Sequence, residues 1–398
     1  MVAAIMKMIC CHSHLGNMMH TDKLIPNEPS SYAIAENVEY LFFHCSNLGA
    51  SDIFIQSGEP VRINLHGKKI RVTRRNLNRD DLMFIINTSR FAKNSESILG
   101  EGKALNYAYS LQLTRESEHI RLRCNAIKIN GSSAYNLVAR TINATPPKAE
   151  TLGIEKLILE ICESYHKGMI LFCGATGTGK STSLAAVIRY LLEKEDSDHH
   201  FIDIGSPIEY LMQGFERGNS IVTPVSIPDS LPNFQQAIIE SLRMAPTMIQ
   251  VTEMRDTPTL LAGLEAANTG HLLFSTLHTN STVLAIKRML DLMPKERANS
   301  GPMDIIENTN LIVAQKLVPT VDGKRCAIRE ILPIDNESKH ALYSSSNLMR
   351  DIGDILNKKG RPMTVDINEK FESGLISMQT RDIMMKNYAM IELDVKSA

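Results

Sequence analysis

A glycine-rich segment that ends in lysine and serine carries the clearest chemistry in the sequence. Residues Gly174–Ser181 match the pattern G-x-x-x-x-G-K-[ST], with the apolar segment Met169–Cys173 before them and an amphipathic segment after them. Glycines allow main-chain N–H groups to curl around phosphate oxygens, and the N-terminus of a helix adds the positive end of its dipole. The pattern therefore predicts a nucleoside-triphosphate site between a strand and a helix.

Each position of this segment has an expected part in binding ATP and Mg²⁺. We expect Lys180 to hold the phosphates as a cation in a solvated site, and the Ser181 hydroxyl to bind Mg²⁺. The expected nucleotide-binding residues are Gly174, Ala175, Thr176, Gly177, Thr178, Gly179, Lys180, Ser181 and Thr182.

Two carboxylates are candidates for the hydrolytic chemistry. Hydrolysis needs an acceptor that orients the attacking water. Glu253 follows the apolar segment Met248–Val251, and nucleotide-binding folds place strand ends beside the nucleotide, so we expect Glu253 to be catalytic. The alternative is that Glu253 only caps a helix over Thr252–Thr259. Glu209 would hold the water shell of Mg²⁺ as a second carboxylate.

Two histidines flank the apolar segment Leu272–Ser275, which is predicted to be a strand. His278 follows the strand, and we expect it to sense the terminal phosphate and to move the end of the sheet. His271 precedes the strand and is expected to be structural. A purely structural role for both remains an open alternative.

The surrounding elements predict two domains. Strands and helices alternate after Pro146-Pro147, which predicts a parallel sheet, whereas the preceding region mixes short strands and helices. The predicted division is a flexible tail at 1–33, an α+β domain at 34–143, a linker at 144–153, and an ATPase domain at 154–398 that ends in a helical segment. The paired prolines would let the first domain swing.

Three segments after the glycine-rich loop resemble the boxes of the PilT/VirB-type secretion-ATPase superfamily. Ser206–Glu209 resembles its acidic box, Met248–Asp256 its Walker-B segment, and Gly270–Thr279 its histidine box. The resemblance extends from about residue 34 to 390.

Within that superfamily the chain most resembles the DotB/TraJ-like ATPases of type IVB secretion and conjugation. The resemblance is carried by Pro26–Pro29, Leu231–Phe234 and Gln315–Asp322. These segments suggest little catalytic role of their own, so they indicate relatedness and not a particular chemistry.

The resemblance implies an α/β fold with a RecA-like P-loop ATPase core and a smaller, PAS-like N-terminal α+β domain. It also implies a homohexamer in which Arg121, Arg123 and Arg140 of the first domain reach the nucleotide. From spacing alone, Arg121 and Arg123 could equally lie on a solvated strand face. Expected partners are inner-membrane secretion-complex proteins.

Three positions depart from the superfamily pattern and affect the expected catalytic strength. Gly205 stands where the acidic box normally has glutamate, so one carboxylate near the metal is missing unless Asp203 replaces it. Thr252 replaces the usual glycine, and Gln250 interrupts the apolar strand. We expect these changes to affect hydrolysis more than binding.

Composition indicates a cytoplasmic protein at the periphery of the inner membrane. A net charge of -1 gives no reason to expect direct nucleic-acid binding, and seven dispersed cysteines suit a reducing compartment. No apolar run approaches the ~20 residues of a transmembrane segment. Met1–Cys11 is interrupted by Lys7 and is not expected to be a signal peptide. The basic stretch Lys68–Arg75 is either an exposed hairpin or a docking patch.

Other functions remain open alternatives at this point. A pilus-retraction motor would share every motif. Gly205 and Thr252 would suit a nucleotide-dependent assembly factor that hydrolyses ATP only weakly. A nucleic-acid helicase is disfavoured by the near-zero net charge.

Overall fold

A computed structural model describes residues 23–112, 120–129, 134–142 and 145–397, with side chains described as far as residue 389. The chain divides into two compact units, Met1–Ala144 and Thr145–Ala398. The segment Met1–Cys11 lies outside the described residues. Within the described part of the chain, no helix combines the length and the apolar character needed to span a membrane.

The first unit is an α+β fold built on one antiparallel sheet of order β3-β2-β1-β6-β5-β4. Its strands are β1 (Asp52–Gln56), β2 (Arg62–Leu65), β3 (Lys68–Arg71), β4 (Leu105–Leu111), β5 (Ile120–Ile129) and β6 (Ala134–Ile142). Its helices are α1 (Ala35–Asn47), α2 (Arg79–Arg90) and α3 (Ser95–Gly100). One face of the sheet is apolar because side chains alternate, as β4 shows with Leu105, Tyr107, Tyr109 and Leu111 all buried.

Residues 23–33, which the sequence assigns to the tail, pack on this first unit. Ile25 and Tyr32 are fully buried, and the main-chain N–H of Ile25 donates to Val72 O at 2.8 Å. The N–H of Tyr32 donates to Asp81 Oδ1 at 2.9 Å. The described part of the predicted tail is therefore an ordered edge of the domain.

The second unit is built on a sheet of order β13-β12-β7-β11-β10-β8-β9. All neighbouring strands are parallel except β12 and β13, which form an antiparallel pair. The strands are β7 (Gly168–Cys173), β8 (His200–Gly205), β9 (Ile221–Ser226), β10 (Met248–Val251), β11 (Leu272–Leu277), β12 (Thr309–Pro319) and β13 (Arg325–Pro333). The central strands are buried along their whole length, as expected for a parallel sheet covered on both faces.

Helices cover both faces of this second sheet. They are α4 (Lys156–Ser164), α5 (Lys180–Leu192), α6 (Phe234–Ser241), α7 (Thr257–Asn268), α8 (Thr282–Asp291), α9 (Gly301–Asn308), α10 (Asn336–Tyr343), α11 (Leu348–Lys359), α12 (Met363–Glu372) and α13 (Met378–Ser397). Helices α4 and α5 pack on one face through Ile158, Leu184 and Val187. Helices α6 to α8 pack on the other through Ile238, Leu260 and Ile286. This two-sided arrangement is the predicted α/β core.

Candidate functional site

The glycine-rich loop joins the end of β7 to the start of α5, and its backbone requires glycine. Gly174, Gly177 and Gly179 have φ values of 152°, 81° and 81°, in the region that L side chains rarely adopt. A Cβ on Gly174 would lie 2.5 Å from the carbonyl oxygen of Gln315. The loop therefore has the shape of a phosphate cradle with helix α5 behind it.

Lys180 is buried and not solvated, which corrects the expectation from the sequence. Its side chain is 6% exposed, and Nζ donates to the carbonyl oxygens of Gly174 at 2.8 Å and Ala175 at 2.9 Å. Burial lowers the pKa of the Lys180 ammonium, and nearby negative charge, that of Glu253 and Glu209 included, opposes this shift. The cation is thus held against the loop in the field of both candidate carboxylates.

The parallel strands bring the three boxes to the same edge of the sheet as the loop. The N–H of Gly174 donates to Leu277 O at 3.3 Å, which joins the loop to the end of β11. The hydroxyl of Thr252 donates to Ile204 O at 3.2 Å, which joins the ends of β10 and β8. A glycine at position 252 could not form this second bond, so Thr252 supports the local geometry.

Each carboxylate oxygen of Glu253 has a nitrogen partner, a histidine contact at one and a hydrogen bond at the other. His278 Nε2 lies 3.1 Å from Oε1, and Arg255 Nε lies 2.6 Å from Oε2. Helix α7 is capped by Asp256, whose Oδ1 accepts from the N–H of Thr259 at 2.9 Å. The alternative that Glu253 is only a helix cap is therefore wrong.

The acidic box, Ser206–Glu209, follows the carboxyl end of β8. Asp203 is 3% exposed and pairs in register with the buried Gln250 of β10, so it lies inside the sheet and not at its edge. Glu209 lies beyond the strand and is partly exposed. A Cβ on Gly205 would lie 2.8 Å from the main-chain N and Cα of Ile208. This close approach favours glycine at position 205.

The structure separates the two histidines. His278 follows the carboxyl end of β11, beside Glu253, whereas His271 precedes the amino end of the same strand. His271 Nδ1 lies 3.1 Å from Ala266 O, at the end of helix α7. Only His278 is therefore part of the edge that carries the glycine-rich loop.

The three arginines of the first unit occupy different environments. Arg121 is buried, which excludes the alternative of a solvated side chain for this residue, whereas Arg123 is exposed. Arg140 lies opposite Arg123 across β5 and β6, and its Nε donates to Asp52 Oδ1 at 2.8 Å. Arg123 and Arg140 therefore form an exposed basic pair on this sheet.

A cavity of about 380 Å³ adjoins the loop and could hold the nucleoside part of a nucleotide. Its wall includes Gly179, Thr182 and Ser183 from the loop and α5, and Gly153 and Leu317 from the opposite side. The glycine backbone, the buried lysine and this adjoining cavity fit a nucleotide, whose terminal phosphates would lie near Lys180 and Ser181.

Two residues in or next to the predicted motifs were not identified from the sequence as parts of the site. Arg255 lies in the Walker-B segment, and its bond to Glu253 depends on the turn between β10 and α7. Tyr210 follows Glu209, and its hydroxyl lies 2.9 Å from Thr182 Oγ1, which ties the acidic box to α5. Their positions one or two residues after each acid are the signal that could have pointed to them.

Comparisons with known proteins agree with this geometry. The family described as "Type II/IV secretion system protein" matches residues 28–382. The "Type IV pilus ATPase PilU" of Pseudomonas aeruginosa is 34% identical over 292 residues, which cover 71% of each chain. The crystal structure of the Legionella pneumophila ATPase DotB is similar with a TM-score of 0.85 and 34% identity, over 92% of this chain and 99% of DotB. The pilus retraction motor PilT with bound ADP has a TM-score of 0.72 and 27% identity, over 86% of this chain and 95% of PilT.

Proposed function

The chain belongs to the type II/IV secretion system protein family and is an ATPase, and we propose that it is the hexameric motor of a type IVB secretion or conjugation machine. In this proposal, ATP hydrolysis drives the export or conjugative transfer of a substrate. The observation that carries the ATPase chemistry is the edge of the second sheet, where Lys180, Glu253 and His278 come together, and the choice of machine rests on the similarity to DotB.

Similarity to DotB over almost its whole length supports the type IVB assignment. The TM-score is 0.85 for DotB and 0.72 for PilT. The DotB/TraJ-like segments Leu231–Phe234 and Gln315–Asp322 point the same way.

A pilus-retraction motor is the second candidate. Sequence similarity favours it, because PilU is 34% identical to this chain and the "Type IV pilus retractation ATPase PilT" of Pseudomonas aeruginosa is 31% identical over 287 residues. The two candidates share the same chemistry and differ in the machine that is driven. A strain that lacks the gene distinguishes them by which process stops, substrate transfer or pilus retraction.

Each side chain at the edge has a role in the proposed reaction. Bound Mg²⁺ would neutralise charge on the phosphates. Ser181 and Glu209 would hold the ion, the latter through water, and Lys180 would hold the phosphates. Glu253 would accept a proton from the attacking water, while His278 would keep the carboxylate in place and sense the terminal phosphate.

The closed ring is the second part of the proposal. Arg121, Arg123 and Arg140 would stabilise charge on the transferred phosphoryl group once the ring forms. Of these, Arg123 and Arg140 have the exposure that such a role requires. Sedimentation at micromolar protein with ATP and Mg²⁺ tests this part: a hexamer is expected, and a monomer under all conditions contradicts it.

We propose that the protein is cytoplasmic and binds the inner membrane through secretion-complex proteins. The free cysteines in the described residues support a reducing compartment. The basic stretch Lys68–Arg75 offers less charge for docking than its sequence suggests, because Arg75 forms an ion pair with Asp81 at 2.8 Å. Deletion of the secretion complex should therefore release the protein from membranes at low salt.

Weak hydrolysis is the remaining alternative, since Gly205 removes one carboxylate from the superfamily pattern. A turnover assay on the purified oligomer tests it directly. Sustained, Mg²⁺-dependent phosphate release supports the motor. Binding of ATP without more than a single turnover would support an assembly factor.

A further inference from the structure

Gln315 of β12 contacts the glycine-rich loop at both of its ends. A Cβ on Gly174 would lie 2.5 Å from the main-chain oxygen of Gln315, and a Cβ on Gly179 would lie 3.0 Å from its Nε2. The same Nε2 donates a hydrogen bond to Thr178 O at 2.7 Å. One residue of the neighbouring strand thus supports the loop along its length.

The other side of the Gln315 amide is held by two donors. Its Oε1 accepts from Ser183 Oγ and from Arg329 Nε, both at 2.8 Å. Gln315 and Arg329 lie directly opposite each other in the antiparallel pair β12–β13, and they are 2% and 1% exposed. Because the oxygen faces two donors, the NH₂ group must face the loop.

Arg329 continues these contacts to the segment that precedes helix α4. Its Nη1 donates to Gly153 O at 2.8 Å and lies 3.0 Å from Glu155 Oε2, and its Nη2 donates to Leu152 O at 3.2 Å. A guanidinium this deeply buried requires such partners, because an unpaired buried charge is strongly destabilising. A continuous path of hydrogen bonds therefore runs from Thr178 to Glu155.

We propose that Gln315 is a positioning residue for the glycine-rich loop and that, through Arg329, it couples nucleotide binding to the segment Leu152–Glu155. The coupling depends on the binding of phosphates at the loop and is independent of which machine the ATPase drives. Gln315 touches no reacting atom in this account. It sets the position of Thr178, and any movement of that carbonyl is passed to Arg329.

The cavity beside the loop adds an independent reason for this coupling. Gly179, Gln315, Arg329, Leu152 and Gly153 all line the same space of about 380 Å³. The path of hydrogen bonds therefore follows the wall of the space that the nucleoside would enter. The loop and the segment Leu152–Glu155 are thus linked through the same two buried side chains, those of Gln315 and Arg329.

The substitution Gln315→Glu tests the positioning role because it keeps the shape of the side chain, replaces the NH₂ donor by an oxygen and adds a negative charge beside Arg329. It keeps an acceptor for Arg329 and Ser183 but turns the donor toward Thr178 O into a second acceptor. We expect ADP to bind about tenfold more weakly, as for the loss of one buried hydrogen bond, and the melting temperature to fall because Thr178 O loses its donor.

The matched control is Asn310→Asp at the other end of β12, a buried amide whose Nδ2 donates to Lys167 O at 2.6 Å and whose Oδ1 accepts from Lys339 Nζ at 3.0 Å. ADP binding to this variant should stay within about twofold of wild type. If Gln315→Glu binds ADP as wild type does, or if both variants weaken binding equally, Gln315 does not position the loop.

Hydrogen exchange on the wild-type chain tests the coupling without any substitution. Magnesium pyrophosphate has no nucleoside, so it can occupy the loop without touching Leu152 or Gly153. It should slow amide exchange in residues 174–182 and also in residues 150–156. Slower exchange in the loop alone would overturn the coupling, and this result would stand even if Gln315→Glu failed to fold.

Discussion

His278 Nε2 lies 3.1 Å from Oε1 of Glu253, across the ends of two adjacent parallel strands. The histidine box and the Walker-B segment are therefore joined by a side-chain contact that involves the candidate catalytic carboxylate. A carboxylate held at both oxygens is fixed in orientation, which is what proton transfer from a positioned water requires.

Glu253→Gln should leave nucleotide binding intact and lower turnover by roughly 10²-fold or more, because the carboxylate acts only in the transition state. Glutamine keeps the shape of the side chain and can still accept from Arg255. Titration with a fluorescent ADP analogue and steady-state phosphate release give the two quantities. If binding and turnover fall together, Glu253 has a structural or metal-binding role, and Glu209 becomes the better candidate for the base.

The two histidines provide a matched pair of variants. His278→Ala should lower turnover by about tenfold, because Glu253 loses one of its two nitrogen partners at this edge. His271→Ala removes a contact with Ala266 O at the opposite end of β11 and should leave turnover near wild type. Equal losses of turnover in the two variants would mean that His278 has no special role.

Lys180→Ala should abolish ATP turnover. Because Lys180 is buried, the variant should also be less stable than wild type. The methylenes of this side chain lie in the protein, so truncation to alanine leaves space that Lys180→Met would fill. Both variants should be inactive, and Lys180→Met should melt at the higher temperature. Turnover like that of wild type in either variant would contradict the assignment of the phosphate-binding loop.

Gly205→Glu restores the residue type of the superfamily, yet we expect it to lower both stability and turnover. Its Cβ would meet the main chain of Ile208 at 2.8 Å, and such overpacking costs about 1–3 kcal/mol. The control is Gly353→Glu in α11, where a Cβ would have no neighbour within 4 Å. Higher turnover in Gly205→Glu would show instead that the missing carboxylate limits catalysis.

Spacing along the sequence indicates the parts of the candidate site that lie within one motif. It does not indicate contacts that form only when neighbouring strands and loops pack together. The pattern Gly174–Ser181 and the strand ends before Glu253 and His278 are local, and the parallel sheet then brings them together. The burial of Lys180 depends on the folded loop around it, so its residue type alone suggested a solvated cation.

Long-range partners account for most of what the sequence could not supply. Gln315 was noted only as part of a segment that indicates kinship, yet it contacts the loop 137 residues earlier in the chain. The clash that requires glycine at position 205 is local by contrast, because Ile208 lies only three residues later, and it depends on the turn of the main chain there. Spacing along the sequence carries no signal for the contact of Gln315.

We propose that ATP hydrolysis by this chain drives substrate transfer through a type IVB secretion or conjugation machine. The most direct measurement is substrate transfer by the source strain after deletion of the gene, with pilus retraction measured in the same cells. Complementation with wild type and with Glu253→Gln at equal protein levels completes the design. We expect the deletion to stop transfer and to leave retraction unchanged. Transfer should return with wild type and not with Glu253→Gln. Loss of retraction with normal transfer would contradict the claim and identify a pilus motor.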